Sequence, residues 1–208
     1  MSEEALTQGQ AAARTKEPTG ARRTEIIDAA ATLFDKRGYH STSMEDIAEH
    51  VGLAKPTLYH YFRGKDEILL EIHTAMIEDI LASHESRLPG SRGRWGQLLK
   101  GMMGDLIRLM ETHPGHLRIF FEHQRELPDK YQSSIRQKRN TYREHVRDVI
   151  DGGIADGDFR GVDPELATLA VLGISNWTYQ WLRPGGKYTA DQVTEVFYAL
   201  VIDGLGLS

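Results

Sequence analysis

Between residues 43 and 65 the apolar positions fall into two short helical patterns separated by a glycine. Met44, Ile47, Ala48 and Val51 recur at i, i+3, i+4 and i+7, while Glu45, Asp46, Glu49 and His50 take the positions between them. This is the stripe of a helix with one face in a core and the other in water. Thr42, followed three residues later by Glu45, has the form of a capping box and starts that helix near Ser43. Gly52 stops it, because glycine enters the left-handed conformation that closes a helix. A second helix opens at Lys55, with Pro56 early in it, where a missing N–H costs nothing. Leu58 and Phe62 are spaced to face inward, which leaves Thr57, Tyr59, His60 and Tyr61 on the outer surface.

The same period runs through the rest of the chain. Ile26, Ala29, Ala30, Leu33 and Phe34 form an earlier helical face that Gly38 ends. A long helix from Lys65 to about Arg87 carries Leu69, Ile72, Met76 and Ile80 on one face, and Leu88-Pro89-Gly90-Ser91 breaks it. Trp95 to Glu111 is apolar on more than one face and is interrupted by Gly101 and Gly104. Glycine inside a helix costs about 1 kcal/mol relative to alanine, so these two are read as close approaches by another helix or a ligand. After His113-Pro114-Gly115 come a short helix to Glu126 and a long polar one from Pro128 to about Asp156. Asp163-Pro164-Glu165 opens a helix that is apolar nearly all round as far as Leu182, and Thr189 with Gln192 caps a last one bearing Val193, Val196, Phe197, Leu200 and Val201. The fold class is all-α, and the last two helices carry more apolar surface than a body of this size can cover. They are expected to form a four-helix bundle with a second copy across a two-fold axis.

Composition narrows the chemistry. The 208 residues include no cysteine, so there is no disulfide framework and no thiolate metal site, which fits a cytoplasmic location. The longest uncharged stretch, Leu166 to Leu182, is 17 residues long and short of a membrane span; no membrane partner is expected. His113, His116, His123 and Glu122 straddle a helix break rather than sharing one face, so metal is not assigned. Nucleophile-elbow, phosphate-loop and dinucleotide motifs are missing, which places a helical enzyme as a distant alternative. The net charge is −5, and residues 20 to 65 hold seven Lys and Arg against six Asp and Glu. Phosphate contact therefore falls to placed cations rather than to a broad basic field. On the second short helix, Thr, Tyr, His and Lys suit a nucleic-acid groove, and helix, glycine turn and helix is the helix-turn-helix arrangement.

The run S-M-E-D-I-A-E-H-V-G-L-A-K-P-T-L-Y-H-Y-F-R-G-K-D-E-I-L resembles the DNA-binding domain of TetR-type bacterial repressors, and R-R-T-E-I-I-D-A-A-A-T-L-F-D-K-R-G-Y resembles that domain's first helix. The resemblance implies a tail at 1–19, a DNA-binding domain at 20–66 with its motif at 43–62, and a ligand-binding and dimerisation body at 67–208. It assigns Arg22, Thr42, Ser43, Lys55, Pro56, Thr57, Tyr59, His60, Tyr61 and Lys65 to DNA, with Lys65 similar to the family's phosphate-contacting lysine. It also implies a homodimer on a palindromic double-stranded operator.

Near the C-terminus, N-W-T-Y-Q-W-L-R-P-G-G-K-Y resembles a W-Y-R-P-G-G signature of the subgroup that controls fatty-acid, phenylacetate and sterol-ring catabolism and responds to acyl-coenzyme A thioesters. Leu182 stands where many members carry tyrosine. Arg183, Gly185 and Gly186 would meet the coenzyme phosphates. Asn176, Trp177, Gln180 and Trp181, with Met102, Met103, Phe120 and Phe121, would line an apolar tunnel. Arg139, Tyr142 and Arg143 would point at a bound anion. The effector is the only small molecule expected, with no cofactor, and a sensor of hydrophobic drugs is the alternative.

Overall fold

The computed structural model describes residues 19–87 and 93–205. The expected tail, apart from Thr19, and the expected break at 88–91 lie outside the described residues. Among the described residues the chain forms nine α-helices and no strand. The first three are α1 (Thr19–Arg37), α2 (Met44–His50) and α3 (Lys55–Tyr61). Gly38 and Gly52 end α1 and α2 with φ of 85° and 64°, a conformation that a side chain at either position would strain.

The cap of α2 sits one residue later than the sequence suggests. Ser43 is the N-cap: its Oγ accepts from the Asp46 N–H at 3.1 Å, and the Asp46 carboxylate accepts from the Ser43 N–H at 2.8 Å. Thr42 is turned inward instead, its hydroxyl donating to the Gly38 carbonyl at 2.9 Å.

Helix α4 (Lys65–Arg87) runs through both cores. Ile68, Leu69 and Ile72 pack with Ile26, Phe34, Ile47, Leu58 and Phe62 in the N-terminal core, whereas Met76, Ile77 and Ile80 belong to the core of the body. The body is completed by α5 (Trp95–Thr112), α6 (Pro114–Glu122), α7 (Asp129–Ala155), α8 (Pro164–Asn176) and α9 (Ala190–Leu205). Helix α5 lies at its centre, with α9, α7 and α8 around it. Gly104 marks a close helix approach, since a Cβ there would stand 3.3 Å from Thr194 of α9. Gly101 faces the Arg87 side chain in the same way. Both glycines are thus accounted for by neighbouring elements of the chain.

Helix α8 is shorter than its apolar run. The α-helix ends at Asn176, and Trp177–Gln180 tighten into a 3₁₀ turn. The caps at the two helix starts agree with the sequence: the Asp163 carboxylate accepts from the Leu166 N–H at 3.0 Å, and Thr189 and Gln192 bond reciprocally at 3.0 and 3.2 Å.

Candidate DNA interface and effector site

Helix α3 is anchored by Leu58, which is fully buried, and by Phe62 just beyond its end, under the Arg23 guanidinium at 4.1 Å. With these inward, Lys55, Pro56, Thr57, Tyr59 and His60 are exposed and Tyr61 is half-buried. Lys55 pairs with Glu45 of α2, and this ion pair lowers the carboxyl pKa and raises that of the ammonium. Both charges are on the open surface, where such a pair is weak and exchangeable for phosphate.

Three residues assigned to DNA lie elsewhere. The Thr42 side chain is 1% exposed and its hydroxyl is used on backbone carbonyls. Arg22 donates to the Val51 carbonyl at 2.9 Å and pairs with Glu25, so it holds α1 against the turn after α2. Lys65 donates to the carbonyls of Tyr39, Thr42 and His40 at 2.9, 3.1 and 3.4 Å, with its ammonium 4.4 Å from the Tyr39 ring centroid. All three ammonium protons have an acceptor in the α1–α2 connection, so Lys65 clasps that connection to α4 rather than presenting charge outward. Ser43 is exposed, and its hydroxyl and N–H are occupied by Asp46.

The residues proposed to line an effector site divide into two groups. Met102, Met103, Phe120 and Tyr142 are buried together in the body core, and Phe121 lies beside it, stacked on Tyr179 at 4.8 Å. Arg139 packs over the Phe120 ring at 4.0 Å and donates to the Phe120 carbonyl at 2.6 Å and to Gln124. Burial lowers its pKa to about 10. Arg143 reaches Glu165 at the start of α8, 3.6 Å away. The expected convergence of Arg139, Tyr142 and Arg143 on an anion is therefore absent: one guanidinium fixes the end of α6, the other pairs with α8, and the phenol is inside the core.

The second group is on the outside. Trp177 is 62% exposed and Trp181 39% exposed, the latter edge-on to Phe197 at 6.2 Å. Gln180 is exposed and Asn176 half-buried. The Arg183 guanidinium folds back onto the carbonyls of Gln180, Leu182 and Tyr179 at 2.8, 3.0 and 3.3 Å, closing the 3₁₀ turn. Gly185 has φ of 68°, and a Cβ on Gly186 would stand 2.9 Å from the Arg183 carbonyl, so this tight turn needs both glycines.

Two family models cover these parts: the tetR family of bacterial regulatory proteins matches residues 26–72, and the tetracyclin repressor-like C-terminal domain matches 93–205. The chain belongs to the TetR family. It is accordingly a DNA-binding transcription regulator and not an enzyme. It is 30% identical over 187 residues to the transcriptional repressor KstR2 of Rhodococcus jostii, covering 88% of this chain and 91% of that protein. The solved structure of the ketosteroid transcriptional regulator KstR2 of Mycobacterium tuberculosis superposes with a TM-score of 0.82 at 27% identity, covering 90% of this chain and 96% of that one. AibR, solved with isovaleryl coenzyme A and operator DNA, shares the fold with a TM-score of 0.76 at 24% identity, covering 86% of this chain and 97% of its own.

In this TetR-family regulator two buried histidines on α4 are without a counterpart among the residues expected to matter. His73 is fully buried and His84 is 1% exposed, and neither ring has a hydrogen-bond partner among the described residues. Burial holds both neutral, with pKa values lowered to about 3 and about 4. The signal was present in the sequence, because His84 extends the apolar series Leu69, Ile72, Met76, Ile80 by four residues. Among the described residues no group of three or more His, Cys, Asp or Glu is placed to hold a metal ion, and no helix is long and apolar enough to cross a membrane.

Proposed function

We propose that this regulator is a cytoplasmic homodimeric repressor that leaves a palindromic operator when an acyl-coenzyme A thioester binds its body. The observation that carries the DNA half is the surface of α3: Lys55, Thr57, Tyr59 and His60 are exposed together while Leu58 and Phe62 hold the helix in the core. Similarity to KstR2, named a repressor, supports the sign of regulation, and its description as a ketosteroid regulator supports an effector from lipid breakdown. AibR supports the capacity of this fold to hold a coenzyme A thioester and DNA.

The Arg183 turn is the proposed phosphate contact. Three bonds to carbonyls leave part of a five-donor guanidinium for an anion. The packing supports a transmission route between body and DNA reader: α4 passes through both cores, and α6 is tied to α1 by Arg118–Asp35 at 2.9 Å and His116–Asp28 at 3.2 Å. Ligand need only bind the two arrangements differently, by about 1–3 kcal/mol, to shift DNA occupancy.

The test is a gel-shift titration on the DNA upstream of the protein's own gene, with a panel of acyl-CoAs and the matching free acids. Release by a thioester but not its acid, weakened at least about tenfold in R183A, supports the reading. Release by neutral hydrophobic drugs, with R183A unaffected, overturns it in favour of a drug sensor.

A further inference from the structure

The core of the body contains hydrogen-bonding atoms that nothing among the described residues satisfies. The rings of His84 and Tyr142 stack at 5.0 Å, with 1% and 7% exposure. Neither imidazole nitrogen and not the phenol oxygen has a hydrogen-bond partner. Buried polar groups are paired in nearly all folded proteins, because an unpaired one loses its water without compensation. Two such side chains in contact, on α4 and α7, are therefore a candidate for recognition of something that enters from outside. Their neighbours in the same core are apolar and adaptable: Met76, Met102, Met103 and Met110 all belong to it. Unbranched thioether side chains repack around a guest at little cost.

Charge decides what kind of guest. Burial is the main cause that keeps the imidazole neutral, with His145 and Arg87 acting the same way and the Asp105 carboxylate opposing them. The Met102 carbonyl opposes them more weakly, lying near the ring but outside hydrogen-bond geometry. Burial and then Asp105 push the phenol well above its ordinary range. Near neutral pH the pair offers two donors, the phenol O–H and one imidazole N–H, beside the single unprotonated imidazole nitrogen, so a guest oxygen that accepts from these donors is matched to it. Asp105 is held by Ser83 at 2.6 Å and by Arg87 at 2.7 Å, and its negative field disfavours a second carboxylate beside it.

We infer that His84 and Tyr142 recognise a neutral oxygen acceptor, such as a ketone, on the buried part of the effector, which is thus an oxygenated acyl group rather than a plain hydrocarbon chain. The inference rests on the reading that an acyl thioester enters the body, and it adds the chemistry of the acyl end.

The experiment is calorimetric titration of the full-length protein with decanoyl-coenzyme A, with oxodecanoyl-coenzyme A carrying the ketone at successive positions, and with the methyl esters of the same acids. The expected result is that the best-placed ketone binds about tenfold tighter than decanoyl-coenzyme A. In Y142F, and separately in H84L, the two affinities converge, with thermal melting used to show that each variant is folded. Equal affinity at every ketone position, or a preference that survives in both variants, overturns the inference and leaves the thioester reading standing. A Tyr142-dependent preference among the methyl esters, with no thioester bound, keeps the polar end and removes the thioester. Binding of neither class removes both.

Discussion

His73 and His84 tie the stability of this regulator to pH. In the unfolded chain each titrates near 6.5, whereas burial lowers the folded values to about 3 and about 4. Between those limits the unfolded state binds the extra proton. Stability from these two groups is therefore full above about pH 6.5 and is lost as pH falls toward 4 for His84 and toward 3 for His73. At pH 5 each histidine costs up to about 2 kcal/mol, taking about 1.4 kcal/mol per pH unit. Urea unfolding at pH 7 and pH 5 should show a smaller loss in H84L than in the unsubstituted protein. Lys65 is expected to act through structure. K65A removes three N–H···O bonds to the α1–α2 connection and should lower unfolding free energy by about 1–2 kcal/mol. A K65A protein that melts normally yet fails to bind the operator would return Lys65 to the DNA.

At the scale of the elements, α3 and α7 carry opposite kinds of constraint. On α3 the outer face is free of packing, so T57A and H60A should leave the melting curve in place. Each should weaken operator binding, read by fluorescence anisotropy, by about 1–3 kcal/mol where its side chain bonds to a base edge. On α7 the constraint is steric. A Cβ on Gly153 would stand 2.3 Å from the Phe159 ring, so G153A should cost about 1–3 kcal/mol in a denaturant titration through overpacking. Helix α8 shows how an element boundary escapes the sequence. Nothing between Leu166 and Leu182 marks a stop: Gly173 is the only breaker, and the helix passes it. The end at Asn176 goes with the folding back of Arg183 onto three carbonyls of the following turn, an interaction between side chain and backbone that apolar periodicity does not encode.

For the whole molecule, the outer faces of α8 and α9 dominate the exposed apolar surface. Leu166, Leu169, Val196 and Leu200 are 66, 49, 58 and 66% exposed. A groove of about 370 Å³ between the helices is lined by Ala167, Ile174, Phe197 and Leu200 among others. Apolar surface of this kind on a TetR-family chain is the proposed seat of the second copy. If α8 and α9 seat the second copy as proposed, L166E with L200E should give a monomer in sedimentation velocity where the unsubstituted protein is a dimer, and weaken operator binding by roughly 100-fold, since one half-site is then held without the other. A double variant that remains dimeric would place the interface elsewhere.

The sequence by itself determined the all-α class, the helix-turn-helix at 43–62 and the family, because short-range spacing and capping are local properties of the chain. It also identified the outward residues of α3, since Leu58 and Phe62 fix the inward face of so short a helix. Direction and partnership were decided only by the tertiary structure. Thr42, Arg22 and Lys65 have side chains that suit DNA, yet each found nearer acceptors in the backbone of the folded domain. Arg139 and Arg143, one turn apart on α7, diverge to α6 and α8. His84 and Tyr142 are 58 positions apart, and their meeting depends on the packing of α4 against α7. A hydrogen-bond donor's role follows from which acceptor lies closest once the chain is packed, and that distance is set by residues remote in sequence.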